Sequence, residues 1–259
     1  MTQTAPLRRR ILAGETLFGT FLNLGSVQAA EVCGHAGLDW VLVDLEHGSG
    51  TEADLLPQLA AIAGTAATAL VRVEEGTRLR VGRVLDLGAD GVMVPQVNSA
   101  AAARDIASWL RFPPFGKRGV AMFTRGLRYG AGGHDSVDTR NQEVVGIVQI
   151  ESREAVDAAA DMAAVDGVDV LFVGPADLSH ALGVRGQIDH PDFDAAIRTV
   201  AAAAKANGKA AGIMLWKPEE AARYAALGYT FFSLSTDGAL LNAVVRSSLQ
   251  AGRAASSSM

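Results

Sequence analysis

Between residues 144 and 179 the chain reads VVGIVQIESREAVDAAADMAAVDGVDVLFVGPADLS. Two largely apolar runs, 144–150 and 168–173, flank an alanine-rich amphipathic segment at 153–164, and Gly167 turns the chain back. That order predicts strand, helix, strand. Strands that are apolar on both faces suit a parallel sheet covered by helices, and a right-handed crossover makes both strands run the same way. Glu151 and Asp177, which follow the two runs, therefore leave the same end of the sheet one βα unit apart. Two hard oxygen donors converging there suit Mg²⁺ or Mn²⁺, with waters and a substrate completing the shell. Each carboxylate has a plainer reading, Glu151 as a helix cap and Asp177 as a loop hydrogen-bond acceptor.

The same alternation runs along the chain. Strand-like runs fall at 19–24, 40–45, 69–73, 91–94, 144–150, 168–173, 211–215 and 230–234. Helical patterns fall between most of them, at 27–36, 53–63, 78–87, 100–110, 153–164, 193–206 and 219–227. Several helices finish on a glycine that introduces the next strand (Gly37, Gly88, Gly208, Gly228), as a glycine just past a helix end does. Eight strands alternating with helices predict an α/β fold of the (β/α)₈ TIM-barrel type. A doubly wound open sheet is the alternative, but Asn23-Leu24-Gly25-Ser26 lacks the glycine spacing of a dinucleotide loop. No composition break divides the 259 residues. One barrel domain over 1–259 is expected, with short flexible tails at about 1–6 and 252–259. The glycine-rich insertion after 100–110 predicts a mobile stretch at 122–138 placed over the barrel mouth.

A net charge of −5 without a basic stripe argues against nucleic acid as partner. The Arg8-Arg9-Arg10 cluster reads as a solvated first helical turn. A lone cysteine, Cys33, cannot form an internal disulfide and reads as a buried inert thiol. No stretch spans a bilayer and none reads as a signal peptide, so no membrane partner and a cytoplasmic location are expected.

On a barrel, functional groups gather where strands end. The second strand ends Asp44-Leu45-Glu46-His47, the third Val71-Arg72-Val73, the fifth Gln149-Ile150-Glu151, and the sixth Gly174-Pro175-Ala176-Asp177. Singly, His47 can be a loop residue, Arg72 a partner for Asp44 or Glu46, and Asp44 and Gln149 loop-holding groups. Together they fit one chemistry. A divalent cation chelated by a 2-oxo acid stabilises an enolate, an arginine stabilises a nearby oxyanion, and a histidine moves a proton. No lysine ends any of these strands, which disfavours the imine route.

The motifs DLEHGS, LVRV, LDLGADGVMVPQV, FPPFGKRGV, VQIESREA and LFVGPADLS, in this order over about residues 19–240, resemble the metal-dependent pyruvate aldolases of the HpcH/HpaI family. That family includes 4-hydroxy-2-oxoheptanedioate and 2-dehydro-3-deoxyglucarate aldolases. The resemblance implies a barrel of the phosphoenolpyruvate/pyruvate-binding type and reversible cleavage of 4-hydroxy-2-oxo acids to pyruvate (or hydroxypyruvate) and an aldehyde. By resemblance Glu151 and Asp177 hold the metal (Mg²⁺, Mn²⁺ or Co²⁺). Gln149 and the backbone of Gly174-Pro175-Ala176 meet the 2-oxo acid. His47 is the acid/base, Arg72 stabilises the oxyanion, Asp86 raises the basicity of the histidine and Asp44 is a polar partner. It also implies a homohexamer, a trimer of dimers, with the last helix packed on a neighbour. Asp86 lies where a helix ends, at the rim opposite the mouth, so its histidine is expected on a second subunit.

The resemblance is weakest at 121–144 and 214–217, which are expected to shape the aldehyde pocket. Trp216 can narrow the entrance or simply pack. Phe21 can floor the pocket or fill the core. Two other readings share the barrel, one an enzyme and one a phosphate-binding isomerase or sensor. A citryl- or malyl-type CoA-thioester lyase would need more length and basic surface for its nucleotide. A phosphate-binding isomerase or sensor would need glycine-rich turns after strands seven and eight, where only Ser235-Thr236-Asp237-Gly238 qualifies.

Overall fold

The computed structural model describes residues 5–257. Eight parallel strands, β1 Leu17–Leu22, β2 Trp40–Asp44, β3 Thr68–Arg72, β4 Gly91–Val94, β5 Val145–Ile150, β6 Val170–Val173, β7 Ala210–Met214 and β8 Tyr229–Thr236, pair in chain order. β8 closes on β1, which makes the (β/α)₈ barrel. Each predicted run is a strand, with ends displaced by no more than two residues.

Two apolar clusters follow from the two-residue repeat of a strand. Leu17 and Phe21, Trp40 and Leu42, Leu70, Val145 and Ile147, Val170 and Phe172, and Phe231 fill the barrel interior. Their alternate neighbours, such as Val41, Val43, Val71, Val148 and Leu171, pack outward against helices. The indole of Trp40 stacks on Phe231 with ring centroids 4.4 Å apart. Gly19 makes room for it, because a Cβ there would sit 2.1 Å from the ring.

The polar chain of 8–10 is not a solvated turn. The helix Leu7–Leu12 closes the N-terminal end of the barrel, with Leu7 and Ile11 in the interior cluster. Arg8 reaches the fully buried Asp169 at 3.0 and 3.1 Å, and Arg10 pairs with Glu15 and Asp39. Only Arg9 of the three is exposed. A cationic turn is recruited because Asp169, at the start of β6, needs a counter-charge inside the barrel floor.

The predicted helix at 153–164 is two, Arg153–Asp157 and Ala159–Ala163, and the second packs on Pro191–Ala206 and Ala100–Leu110. The insertion at 122–138 does not overhang the mouth. It connects a helix to β5, so it lies at the N-terminal end of the barrel, where helix-to-strand connections run. There Arg125 donates to the carbonyls of Leu59 and Leu87, and Arg140 bonds Asp90 and the carbonyl of Ala89. Part of it is regular, since Asp135–Glu143 is a helix. At the C-terminus the helix Asp237–Ser256 covers most of the tail expected to be flexible from about 252. Residues 1–4 and 258–259 of the predicted tails lie outside the described residues. Among those described, no helix is long and apolar enough to cross a membrane.

Candidate active site

The inward rows that fill the barrel turn polar at their C-terminal ends. Trp40 and Leu42 are followed at the same spacing by Asp44, Leu70 by Arg72, and Val145 and Ile147 by Gln149 and then Glu151. Asp44 and Arg72 are register partners on adjacent strands. Arg72 donates from Nε to Asp44 Oδ1 at 2.9 Å and from Nη2 to Oδ2 at 2.7 Å, with both side chains almost fully buried. Asp44 Oδ1 also accepts the backbone N–H groups of Glu46 and His47, so one carboxylate orders both the guanidinium and the loop after β2.

Phe21 lies beneath this pair, 1% exposed, with the Arg72 guanidinium 5.0 Å from its ring centre. It packs against Trp40 and Phe172 as well, so it belongs to the core and faces the site at once. Burial alone would lower the pKa of Arg72, but Asp44, Glu46 and Glu151 outweigh it and hold the group charged.

Glu151 is buried at the end of β5. Its pKa is pushed up to about 7, first by burial and then by the negative charges of Asp177 and Glu46, against the pull of Arg72 and a hydrogen bond from the Gln96 backbone. Gln96 adopts φ 53°, an uncommon conformation for a side-chain-bearing residue. Asp177 is exposed in the first turn of the helix Pro175–Ala181. Gly174 fits tightly between neighbours, since a Cβ there would lie 3.1 Å from Gln149 Nε2 and 3.3 Å from Glu151 Cγ. Gln149 is 3% exposed, and its Oε1 has no hydrogen-bond partner among the described residues.

Two groups that the strand-end reading did not select belong here. Glu46 is largely buried, with Oε2 2.9 Å from Arg72 Nη1. It continues the inward spacing 40, 42, 44, and that continuation was a usable signal. Gln96 left none, because its contribution is a backbone N–H in a left-handed turn.

His47 is exposed at the mouth, its Nε2 3.9 Å from Glu46 Oε1. Trp216 follows β7 at the rim and is 44% exposed, and a Cβ on Gly186 would lie 3.8 Å from its ring. Asp86 stands apart from all of these. It ends the helix Arg78–Asp86 at the opposite side of the barrel and accepts a hydrogen bond from Arg118 at 2.8 Å.

The site therefore brings together four carboxylates, Asp44, Glu46, Glu151 and Asp177, around one guanidinium. When all are ionised and His47 is neutral, that leaves three negative charges unmatched. A 2-oxo acid brings a further carboxylate and would be repelled, whereas a divalent cation would offset two of the charges. The residues present fit such an ion. Among the described residues no three His, Cys, Asp or Glu side chains form a closed metal cage. The fit is with a hard cation that keeps waters and takes few carboxylates, Glu151 and Asp177.

A sequence model of the HpcH/HpaI aldolase/citrate lyase family matches residues 17–243. A hydroxypyruvate/pyruvate aldolase of Delftia acidovorans is 38% identical over 250 residues, 96% of this chain and 93% of that protein. A 2-keto-3-deoxy-L-rhamnonate aldolase of Klebsiella pneumoniae is 39% identical over 233 residues, 90% of this chain and 87% of that protein. The crystal structure of an HpcH/HpaI aldolase/citrate lyase family protein from Burkholderia cenocepacia superposes with a TM-score of 0.91 at 39% identity, covering 95% of this chain and 98% of that one.

Proposed function

This chain belongs to the HpcH/HpaI aldolase/citrate lyase family, and from that premise we propose how its barrel mouth cleaves 4-hydroxy-2-oxo acids. The chain is a carbon–carbon lyase, an aldolase that releases pyruvate. The proposal is that donors include pyruvate and hydroxypyruvate and that the reaction runs in both directions. The observation that carries the site assignment is the cluster at the ends of β2, β3, β5 and β6: a doubly hydrogen-bonded Asp44–Arg72 pair beside a buried Glu151.

The family is generally dependent on a divalent metal, and here Glu151 and Asp177 are the proposed ligands of Mg²⁺, Mn²⁺ or Co²⁺. A bound dication supplies Lewis-acid stabilisation of negative charge on the 2-oxo oxygen. The protein's own groups do the rest. Gln149 and the backbone at Gly174, Pro175 and Ala176 seat the oxo acid. His47, exposed at the mouth, takes the C4 hydroxyl proton as the C3–C4 bond breaks. Arg72 faces the oxygen of the departing aldehyde and stabilises its charge, held in place by Asp44 and resting on Phe21. Trp216 bounds the aldehyde side of the entrance.

Asp86 is proposed to act on His47 of a second subunit, since within the chain it is bound to Arg118. A homo-oligomer, with a hexamer (a trimer of dimers) as the proposed form, is supported by the last helix. Leu241, Val244, Val245 and Leu249, at helical spacing, are all more than half exposed. We further propose a single domain and a cytoplasmic location.

The testing experiment is exchange of pyruvate methyl protons in D₂O, with and without EDTA. Exchange that EDTA abolishes and added Mn²⁺ restores, and that Glu151→Gln or Asp177→Asn removes in folded protein, is the expected result. Full exchange by the chelated protein would overturn the metal assignment.

A further inference from the structure

Glu46 is the one acidic side chain of the mouth with no role in the reading above. It is surrounded by charge. Arg72, His47, Asp44 and Asp177 all act on it electrostatically, and it acts in turn on Glu151. Its Oε2 is buried 2.9 Å from Arg72 Nη1, yet that contact lacks the alignment of a hydrogen bond, and Oε2 has no other partner among the described residues. Its Oε1 is 3.9 Å from His47 Nε2, and Glu46 is the only acid within ion-pair range of that imidazole among the described residues.

The arginine explains why this matters. A guanidinium has five N–H groups. Asp44 takes two of them, on Nε and Nη2, from the side of the fork. Nη1 lies 2.9 Å from Glu46 Oε2, and the charge of Glu151 also attracts the guanidinium as a whole. A guanidinium drawn to Glu151 would sit among the proposed metal ligands. Drawn to Glu46 it stays beside the histidine, and the poor alignment of that ion pair leaves the hydrogens of Nη1 uncommitted.

We propose that Glu46 is a positioning residue for carbon–carbon cleavage, holding the Nη1 end of Arg72 beside His47 so that its free N–H groups meet the aldehyde oxyanion. The inference rests on the role given above to Arg72. It makes Glu46 matter for the step that forms an aldehyde oxyanion and much less for enolisation of pyruvate, which forms none.

The test is a double-substitution cycle with Glu46→Gln and Arg72→Ala, read on cleavage of 4-hydroxy-2-oxopentanoate and on pyruvate proton exchange. Gln keeps the shape of Glu46 and removes its charge. Expected are a fall in cleavage kcat of about 10-fold or more, a KM changed by less than about 3-fold, and exchange that falls much less than cleavage. The double variant should cleave no more slowly than Arg72→Ala alone, because Glu46 acts through that arginine. Equal losses in cleavage and exchange, or losses that multiply in the double variant, would overturn the proposal. So would a Glu46→Gln protein that cleaves at the parent rate while Arg72→Ala is impaired, and that outcome leaves the Arg72 reading standing. An Arg72→Ala protein that cleaves normally would sink both. Should Glu46→Gln fail to fold, Glu46→Asp, which pulls the charge back by one methylene, carries the same cycle.

Discussion

The Asp44–Arg72 pair and Glu151 show opposite answers to burying charge. Arg72 keeps its charge because Asp44, Glu46 and Glu151 offset its burial, whereas Glu151 is held up to about 7 by burial and then by the charges of Asp177 and Glu46. A folded-state value above the ordinary 4.5 means that the folded protein binds the Glu151 proton more tightly than the unfolded chain does. In metal-free protein that contribution to stability is complete below about pH 4.5 and is lost by about pH 7, roughly 3 kcal/mol in all. Glu46, also raised by burial, adds in the same direction. Urea unfolding in EDTA should therefore show stability falling across that window, and Glu151→Gln should flatten the fall. An unchanged slope in the variant would remove Glu151 as its cause. Arg72→Ala should cut aldol cleavage far more than pyruvate proton exchange, since only cleavage develops charge on the aldehyde oxygen. Equal losses would move Arg72 to pyruvate binding or to folding.

At the level of elements, each end of the barrel has its own work. The helix Leu7–Leu12 stoppers the N-terminal end, and Arg8 is the counter-charge of a carboxylate with no exposure. Removing one partner of a buried pair strands the other, at a cost of about 3–5 kcal/mol, somewhat less here because Arg8 is partly exposed. Arg8→Ala should lower the urea midpoint by that order while leaving KM for pyruvate unchanged, because the mouth is at the far end. A changed KM with unchanged stability would contradict the division. The connection 122–138 is fastened by Arg125 to the carbonyls of Leu59 and Leu87, and just past it Arg140 bonds the carbonyl of Ala89 at the same N-terminal rim. Within its own subunit it cannot line the aldehyde pocket. Trp216, at the rim after β7, can, and Trp216→Ala is expected to change the choice of aldehyde more than the KM for pyruvate.

For the whole molecule, the helix Asp237–Ser256 buries only Asp237 and leaves an apolar stripe open. Such a stripe is costly in water unless another copy covers it. Leu241→Glu with Val245→Glu should shift sedimentation from the assembled species toward monomer; a parent protein that is itself monomeric would end the proposal. Mixing inactive Asp86→Asn and His47→Ala proteins tests whether sites are shared. Recovered activity is expected, because some sites in mixed assemblies then keep both residues.

Alternating apolar runs and helices carried the barrel, because a strand buried on both faces and a helix buried on one leave different periodicities in the chain. Glycines such as Gly88, with φ 100°, marked the joints. The mouth was legible for a related reason: on a parallel barrel every strand end faces the same way, so Asp44, Arg72, Gln149 and Glu151 could be collected from strand ends alone. What needed the tertiary structure were contacts between residues far apart in the chain. Arg8 reads as a surface charge until Asp169 lies under it, 161 positions away. The sequence offers Asp44 or Glu46 as the partner of Arg72, and only the register of β2 and β3 shows that the arginine meets both. The insertion at 122–138 reads as a lid until its anchoring arginines fix which rim it occupies. Local pattern encodes what each segment buries, whereas a charge finds its partner only once the barrel has closed.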